Sequence, residues 1–139
     1  MPNEILVVTG SLCLVLALIE AWLLVALATN PEGGLSRSIP DFGDLVKSHI
    51  DYLLMALFLF VFYLLFAQLK TAAPAWLIGA MGLGSLGNPA LFLVRAMKPD
   101  LKTAPPGWFR VLMGGSCVLT TIGYAGGAWL VAATAVGML

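Results

Sequence analysis

Residues 50–69 read IDYLLMALFLFVFYLLFAQL, twenty positions in which Asp51 is the only charged group. Apolar side chains occupy every face of this stretch, so it has no polar stripe to turn towards water. At about 1.5 Å of rise per residue it reaches about 30 Å, the thickness of a bilayer's hydrocarbon. A segment this long and apolar all round is a helix solvated by lipid. Phe58, Phe60, Phe62, Tyr63 and Phe66 lie around its circumference, a pattern that suits lipid, other subunits or a large hydrophobic ligand and does not choose among them.

Three more windows qualify in the same way, at residues 5–28, 75–94 and 108–137, each bounded by Pro, Gly or charge. The expected fold class is therefore an all-α integral membrane protein, a four-transmembrane-helix bundle forming a single domain over residues 1–139. Composition agrees: 60% of the 139 residues are hydrophobic and 10% charged, and the mean hydropathy is +0.99, far outside the range of a soluble domain. Four crossings use most of the length and leave no separate soluble domain to carry chemistry. Seven basic residues balance seven acidic ones, which argues against a nucleic-acid surface. No positive segment precedes the first window, and it exceeds the apolar core of a signal peptide, about 7–15 residues, so it reads as a retained span. Cys13 and Cys117 fall in apolar windows and read as two packed thiols rather than a disulfide or a metal pair.

The connections order the spans. Residues 29–48 form a long first loop with Pro31 and Pro40; residues 70–74 are a tight hairpin that makes the second and third spans antiparallel neighbours; residues 95–107 carry Pro99, Pro105 and Pro106. Arg37, Lys47, Arg95, Lys98, Lys102 and Arg110 lie on the first and third loops or their flanks, against Lys70 on the other side. Basic flanks are retained in the cytoplasm, so both termini are expected outside, in a bacterial inner membrane. Gly123 and Gly127 form a GxxxG, and Ala80, Gly84 and Asn88 recur every four residues with Gly87 beside them. Such stripes let helix backbones approach, or clear a surface for a flat ligand.

The polar residues are the functional signal. Glu20, His49, Asp51, Ser85, Asn88 and Arg110 all fall in the half of the membrane nearer the first and third loops, and an intramembrane ionisable group costs about 2.5–3.5 kcal/mol even on the lenient insertion scale. Glu20 lies about 12 Å below the end of its span. It pairs with Arg110 or a neighbouring helix, or takes part in chemistry. Asp51, at the start of the second span, either complements the helix dipole or acts chemically. Asn88 precedes Pro89 and either satisfies carbonyls freed by the proline or contacts a ligand. Arg110 beside Trp108 reads as an interfacial anchor. His49 is the only histidine and reads either as a hydrogen-bonded interfacial residue or as a ligand; a single histidine excludes bis-histidine haem ligation within one chain, argues against a histidine-rich zinc site, and leaves a five-coordinate haem open.

The stretch Lys47-Ser48-His49 leading into a long apolar helix, with Leu77-Ile78-Gly79 through Leu86-Gly87-Asn88 in the third span, resembles the styrene oxide isomerase family of small four-helix membrane proteins. The resemblance covers the central third of the chain. It implies haem b held at the subunit interface of a homotrimer, with ferric iron acting as a Lewis acid that turns a small lipophilic epoxide into an aldehyde. On that reading His49 is the metal ligand, Gly84 and Gly87 flank the cofactor, and Asn88, with Glu20 or Asp51 stabilising developing charge, serves catalysis. Met55, Gly84 and Phe92 stand where the family pattern has Asn, Asp and Tyr, which removes hydrogen bonds that would orient an epoxide. The competing expectation is a non-enzymatic membrane subunit whose small-residue and aromatic faces pack against a larger complex, lipid or pigment. A glutathione- or quinone-linked enzyme ranks last, because basic glutathione-binding motifs are sparse.

Overall fold

A computed structural model describes residues 3–137, and among these the chain is all helical. Four helices are long and apolar enough to cross a membrane: α1 (Glu4–Thr29), α3 (Phe42–Gln68), α4 (Ala75–Met97) and α6 (Gly107–Ala135). Two short helices, α2 (Gly34–Ser38) and α5 (Asp100–Thr103), lie in the first and third loops. The chain is a multi-pass, four-helix membrane bundle, as the hydropathy requires.

Proline sets the helix starts. Pro74 and Pro106 are the residues just before α4 and α6, where a missing N–H is harmless. The second span begins eight residues earlier than its apolar run suggests. After Pro40 the Asp41 side chain caps α3 by accepting the Asp44 N–H at 3.0 Å, and the helix winds through Asp44, Lys47 and Ser48 before the apolar stretch starts. Polarity hid these two turns, because their polar side chains are satisfied by other helices rather than by water. His49 and Asp51 consequently lie within the third turn of a helix instead of at its mouth. Likewise α4 continues past residue 94 to Met97, and α6 ends at Ala135.

Each helix packs mainly on its neighbour in sequence: α1 on α3, α3 on α4, α4 on α6, with α1 also reaching α4 and α6 barely touching α3. The core of α1, α3 and α4 includes Leu6, Cys13, Ala17, Tyr52, Leu59 and Met81, and a smaller cluster of Leu27, Ile39, Leu45 and Ala96 lies under the first loop. The two loops meet at one end, where the Asp41 N–H donates to Ala96 O at 3.1 Å. At the opposite end the Asn3 amide bonds Thr71 O at 3.0 Å and accepts from the Ala73 N–H at 3.3 Å, fastening the α1 start to the hairpin. Lys70, at φ +53°, makes the left-handed turn of that hairpin.

Small residues are used where α4 meets α6. A Cβ on Gly84 would lie 2.7 Å from Thr120 N, and one on Gly123 would lie 2.7 Å from Met81 N, so each glycine admits the other helix's backbone. A Cβ on Gly87 would stand 3.1 Å from Ser116 Oγ. Of the two glycines expected to flank a cofactor, Gly84 is thus covered within the chain by α6, while Gly87 is half-buried and lines an open groove between α4 and α6 with Leu83, Val111 and Leu119.

Candidate functional site

The half of the bundle nearer the first and third loops contains a layer of polar side chains that ties α1, α3, α4 and α6 together. At its centre Glu20 is 2% exposed and Ser48 fully buried. Ser48 Oγ is 2.7 Å from Glu20 Oε1 and 2.9 Å from Pro89 O. Glu20 Oε2 has no hydrogen-bond partner. Of the partners expected for Glu20, Arg110 donates instead from Nε to Pro105 O at 3.1 Å, and the neighbouring helix is the one that holds it, through Ser48 of α3.

His49 follows Ser48 and lies about 100° around α3 from it, at 3.6 residues per turn. Its Nδ1 is 2.9 Å from Ala17 O of α1. A carbonyl can only accept, so Nδ1 carries a proton and donates, and in the neutral ring the lone pair is on Nε2. The ring is half-buried, and Leu53, one turn further along the same face, is exposed.

Asp51 and Asn88 come together on the other flank of α3. Asn88 Nδ2 donates to Asp51 Oδ2 at 3.3 Å, and Cys117 Sγ of α6 donates to Asn88 Oδ1 at 3.7 Å. The two contacts fix which way the amide faces. Asp51 is not the dipole partner of α3: the helix begins at Phe42, Asp41 caps it and Asp44 lies in its first turn. Asn88 does not serve the carbonyl freed by Pro89 either. Pro89 leaves Ser85 O, four residues back, without its helical donor, and Cys13 Sγ of α1 donates to it at 3.8 Å, while Tyr52 OH donates to the neighbouring Leu86 O at 3.3 Å. Ser85 Oγ pairs with Tyr124 OH at 2.7 Å. Both cysteines are free, and Cys117 is exposed rather than packed in the core. Its Sγ, with Asn88, Phe92 and Arg95, lines a narrow cavity of about 60 Å³ between α4 and α6.

The loop end also holds a charged cluster, whose members hydropathy registers only as separate loop charges. Asp44 is fully buried, with Arg95 Nε 3.0 Å, Lys47 Nζ 3.2 Å and Lys102 Nζ 3.3 Å from its carboxylate. Lys102 also reaches Asp41, and the Arg95 guanidinium lies 5.3 Å over the Phe92 ring. The Lys102 ammonium holds the Asp41 carboxyl below its ordinary range, helped by the Asp44 N–H; the same hydrogen bond pushes Lys102 up. These charges clasp the first loop, α3, α4 and α5 at one end. An Asp three residues after the cap, followed by Lys at the next turn, was the available sequence signal.

Among the described residues no group of three or more His, Cys, Asp or Glu converges as a metal cluster, and a porphyrin iron with one axial histidine requires none. His49 fits that part of an axial ligand, with its tautomer fixed and Nε2 free to bind, and the exposed Leu53 and Leu57 continue its face as an apolar wall. No protein-family model matches the chain, and characterised proteins and solved structures give no match.

Proposed function

We propose that this chain is a haem b-binding integral membrane protein in which His49 is the axial ligand, related in function to the epoxide isomerases that its central third resembles. One observation carries the reading: the chain's single histidine donates from Nδ1 to the Ala17 carbonyl at 2.9 Å, the outer contact that orients ligating histidines and keeps Nε2 basic. Bound ferric haem would supply a Lewis acid for the oxygen of a small lipophilic epoxide, whose conversion to an aldehyde or ketone moves one hydride within the substrate and consumes no oxidant, reductant or water.

The chain's own contribution is placement and dryness. Ala17 O sets the imidazole plane, and the apolar wall of Leu53 and Leu57 excludes water from it. Asn88, its amide fixed by Asp51 and Cys117, offers its second Nδ2 hydrogen to a substrate oxygen. His49 and Asn88 lie on opposite flanks of α3, so bringing both to one substrate calls for a homo-oligomer, and the trimer implied by the resemblance is the assembly we assign. Lipid is the solvent and a lipophilic molecule the substrate; the bacterial inner membrane is the location we assign, and the basic residues of the first and third loops support both termini outside.

The test is the visible spectrum of the detergent-purified protein and of His49→Ala, with haem counted per chain. A Soret band near one haem per chain that disappears in the variant is expected; a colourless wild type that stays colourless after haem reconstitution overturns the reading. A second reading, a membrane subunit packing against other proteins, draws on α6, which rests on α4 and leaves Trp108, Val111, Leu112 and Trp129 uncovered. Purification as a stable homo-oligomer without partners decides against it.

A further inference from the structure

We infer that Glu20 is a neutral carboxylic acid that positions His49 by donating to Ser48, and that it carries no catalytic charge. The inference rests on the ligand role proposed for His49 and deepens it.

The argument counts protons. A serine hydroxyl has one hydrogen and two acceptor lone pairs. Ser48 Oγ has two close oxygens, Glu20 Oε1 at 2.7 Å and Pro89 O at 2.9 Å, both within the normal O–H···O range. Pro89 O is a carbonyl and can only accept, so Ser48 donates to it. The second contact then needs a hydrogen from Glu20, which an un-ionised carboxyl supplies. With an ionised Glu20 the single hydroxyl hydrogen would be divided between two acceptors. The other carboxylate oxygen, Oε2, would then be a buried anionic atom with no partner, the costliest kind of polar group to leave inside a protein. Among the described residues no basic side chain forms a salt bridge with Glu20 to offset it. A neutral acid gives a directed relay instead: Glu20 of α1 donates to Ser48 of α3, which donates to Pro89 O of α4.

The relay bears on His49 through the geometry of α1. Ala17 and Glu20 are three residues apart and share one face of that helix. Ala17 accepts from His49 and Glu20 donates to Ser48, so two adjacent points of α1 grip two consecutive residues of α3. Losing the Glu20 point frees the α1–α3 register that keeps the Ala17 carbonyl under the imidazole. Glutamine has an NH2 group and a carbonyl at nearly the same positions and no charge, so one of its two N–H groups can donate to Ser48 and keep the relay, whereas alanine abolishes it. A charge-stabilising Glu20 would behave in the opposite way and fail on substitution by glutamine.

Infrared and ¹⁵N NMR measurements on the full chain in detergent, without haem, test this directly. In the difference between wild type and Glu20→Gln at neutral pH, the carbonyl stretch of a protonated carboxyl is lost. The His49 ring shows a single Nδ1–H tautomer in wild type and in Glu20→Gln, and a mixture of tautomers in Glu20→Ala and Ser48→Ala. Because Ser48→Ala leaves the carboxyl in place, it serves where Glu20→Ala does not fold. Absence of the carboxyl band from the difference spectrum overturns the inference, as does a His49 spectrum disturbed by glutamine as strongly as by alanine, or disturbed by neither alanine variant. These readouts need no haem, so a colourless protein would overturn the haem reading and leave this relay standing or falling by itself.

Discussion

Replacing Gly84 with alanine tests the contact that holds α6 in the molecule. The added Cβ would lie 2.6 Å from Thr120 Oγ1, 2.7 Å from Thr120 N and 2.8 Å from Thr120 Cα. Carbon atoms rest at about 3.5–4.0 Å, so the helices must separate locally by about 1 Å. Backbone cannot rotate away as a side chain can, and overpacking of this kind costs about 1–3 kcal/mol. Alanine returns part of that through helix propensity, about 1 kcal/mol over glycine. The net loss is about 0–2 kcal/mol, at most about a 30-fold fall in the folded-to-unfolded ratio. Gly79, one turn and a half towards the hairpin, meets nothing within 4 Å, so Gly79→Ala has the propensity gain without the clash. Reversible unfolding by SDS in mixed micelles, followed by tryptophan fluorescence, compares the two. Adding Thr120→Ala to Gly84→Ala should restore little, because Thr120 N and Cα remain in the way. Equal stability of Gly84→Ala and Gly79→Ala would refute the close approach and with it the placement of α6.

Two further outcomes concern the charged clasp. Asp44→Asn leaves Arg95 without its buried carboxylate and should destabilise the chain by about 3–5 kcal/mol, whereas Lys47→Ala removes a contact from a side chain that is 57% exposed and should cost about 0–1 kcal/mol; the same unfolding titration ranks them, and equal losses would show that Asp44 is not the hub. The Asp41–Lys102 link has a defined pH window. Asp41 is lowered in the folded chain, so its contribution is present above the ordinary aspartate range, about pH 4, and is lost as pH falls through its folded value. Lys102 is raised, so its contribution is present below about pH 10 and is lost as pH rises through its folded value. Carbon-13 titration of the Asp41 carboxyl should show its midpoint rising in Lys102→Ala, and an unchanged midpoint would remove the link.

The spans were legible because twenty apolar residues in a row have few other uses, and the hairpin at residues 70–74 fixed which helices are adjacent. The start of α3 was not, because hydropathy treats Asp44, Lys47 and Ser48 as solvated when their partners lie on other helices: Asp44 meets Arg95 and Lys102, and Ser48 meets Glu20 and Pro89. The clustering of Glu20, His49, Asp51 and Asn88 in one half of the membrane followed from connectivity, whereas the hydrogen bond between Asp51 and Asn88 did not. Which polar residues pair was beyond the sequence, since pairing depends on helix rotation. Nothing in the spacing indicated that Glu20 would meet Ser48 rather than Arg110, or that Cys13, rather than Asn88, would serve the carbonyl opposite Pro89. The glycine stripe on α4 had two readings on sequence grounds, and only the position of Thr120 against Gly84 selects helix packing.

Helix rotation also limits what one copy of the chain can do. His49 and Asp51 are two positions apart on α3, about 200° around the axis, and their contacts follow: His49 turns to Ala17 of α1, Asp51 to Asn88 of α4. Between them the core-facing Ser48 is fully buried and its neighbour Tyr52 is 3% exposed, so the interior of the bundle separates the two flanks. A ligand on His49 Nε2 and a substrate group on Asn88 therefore cannot meet through the middle of one chain. Any chemistry that uses both must bring the α1–α3 flank of one copy to the α4–α6 flank of another, a head-to-tail contact of the kind that closes into a ring. Chemistry confined to one flank would need only His49 and its apolar wall, and the Asp51–Asn88–Cys117 row would then be a structural tie among α3, α4 and α6.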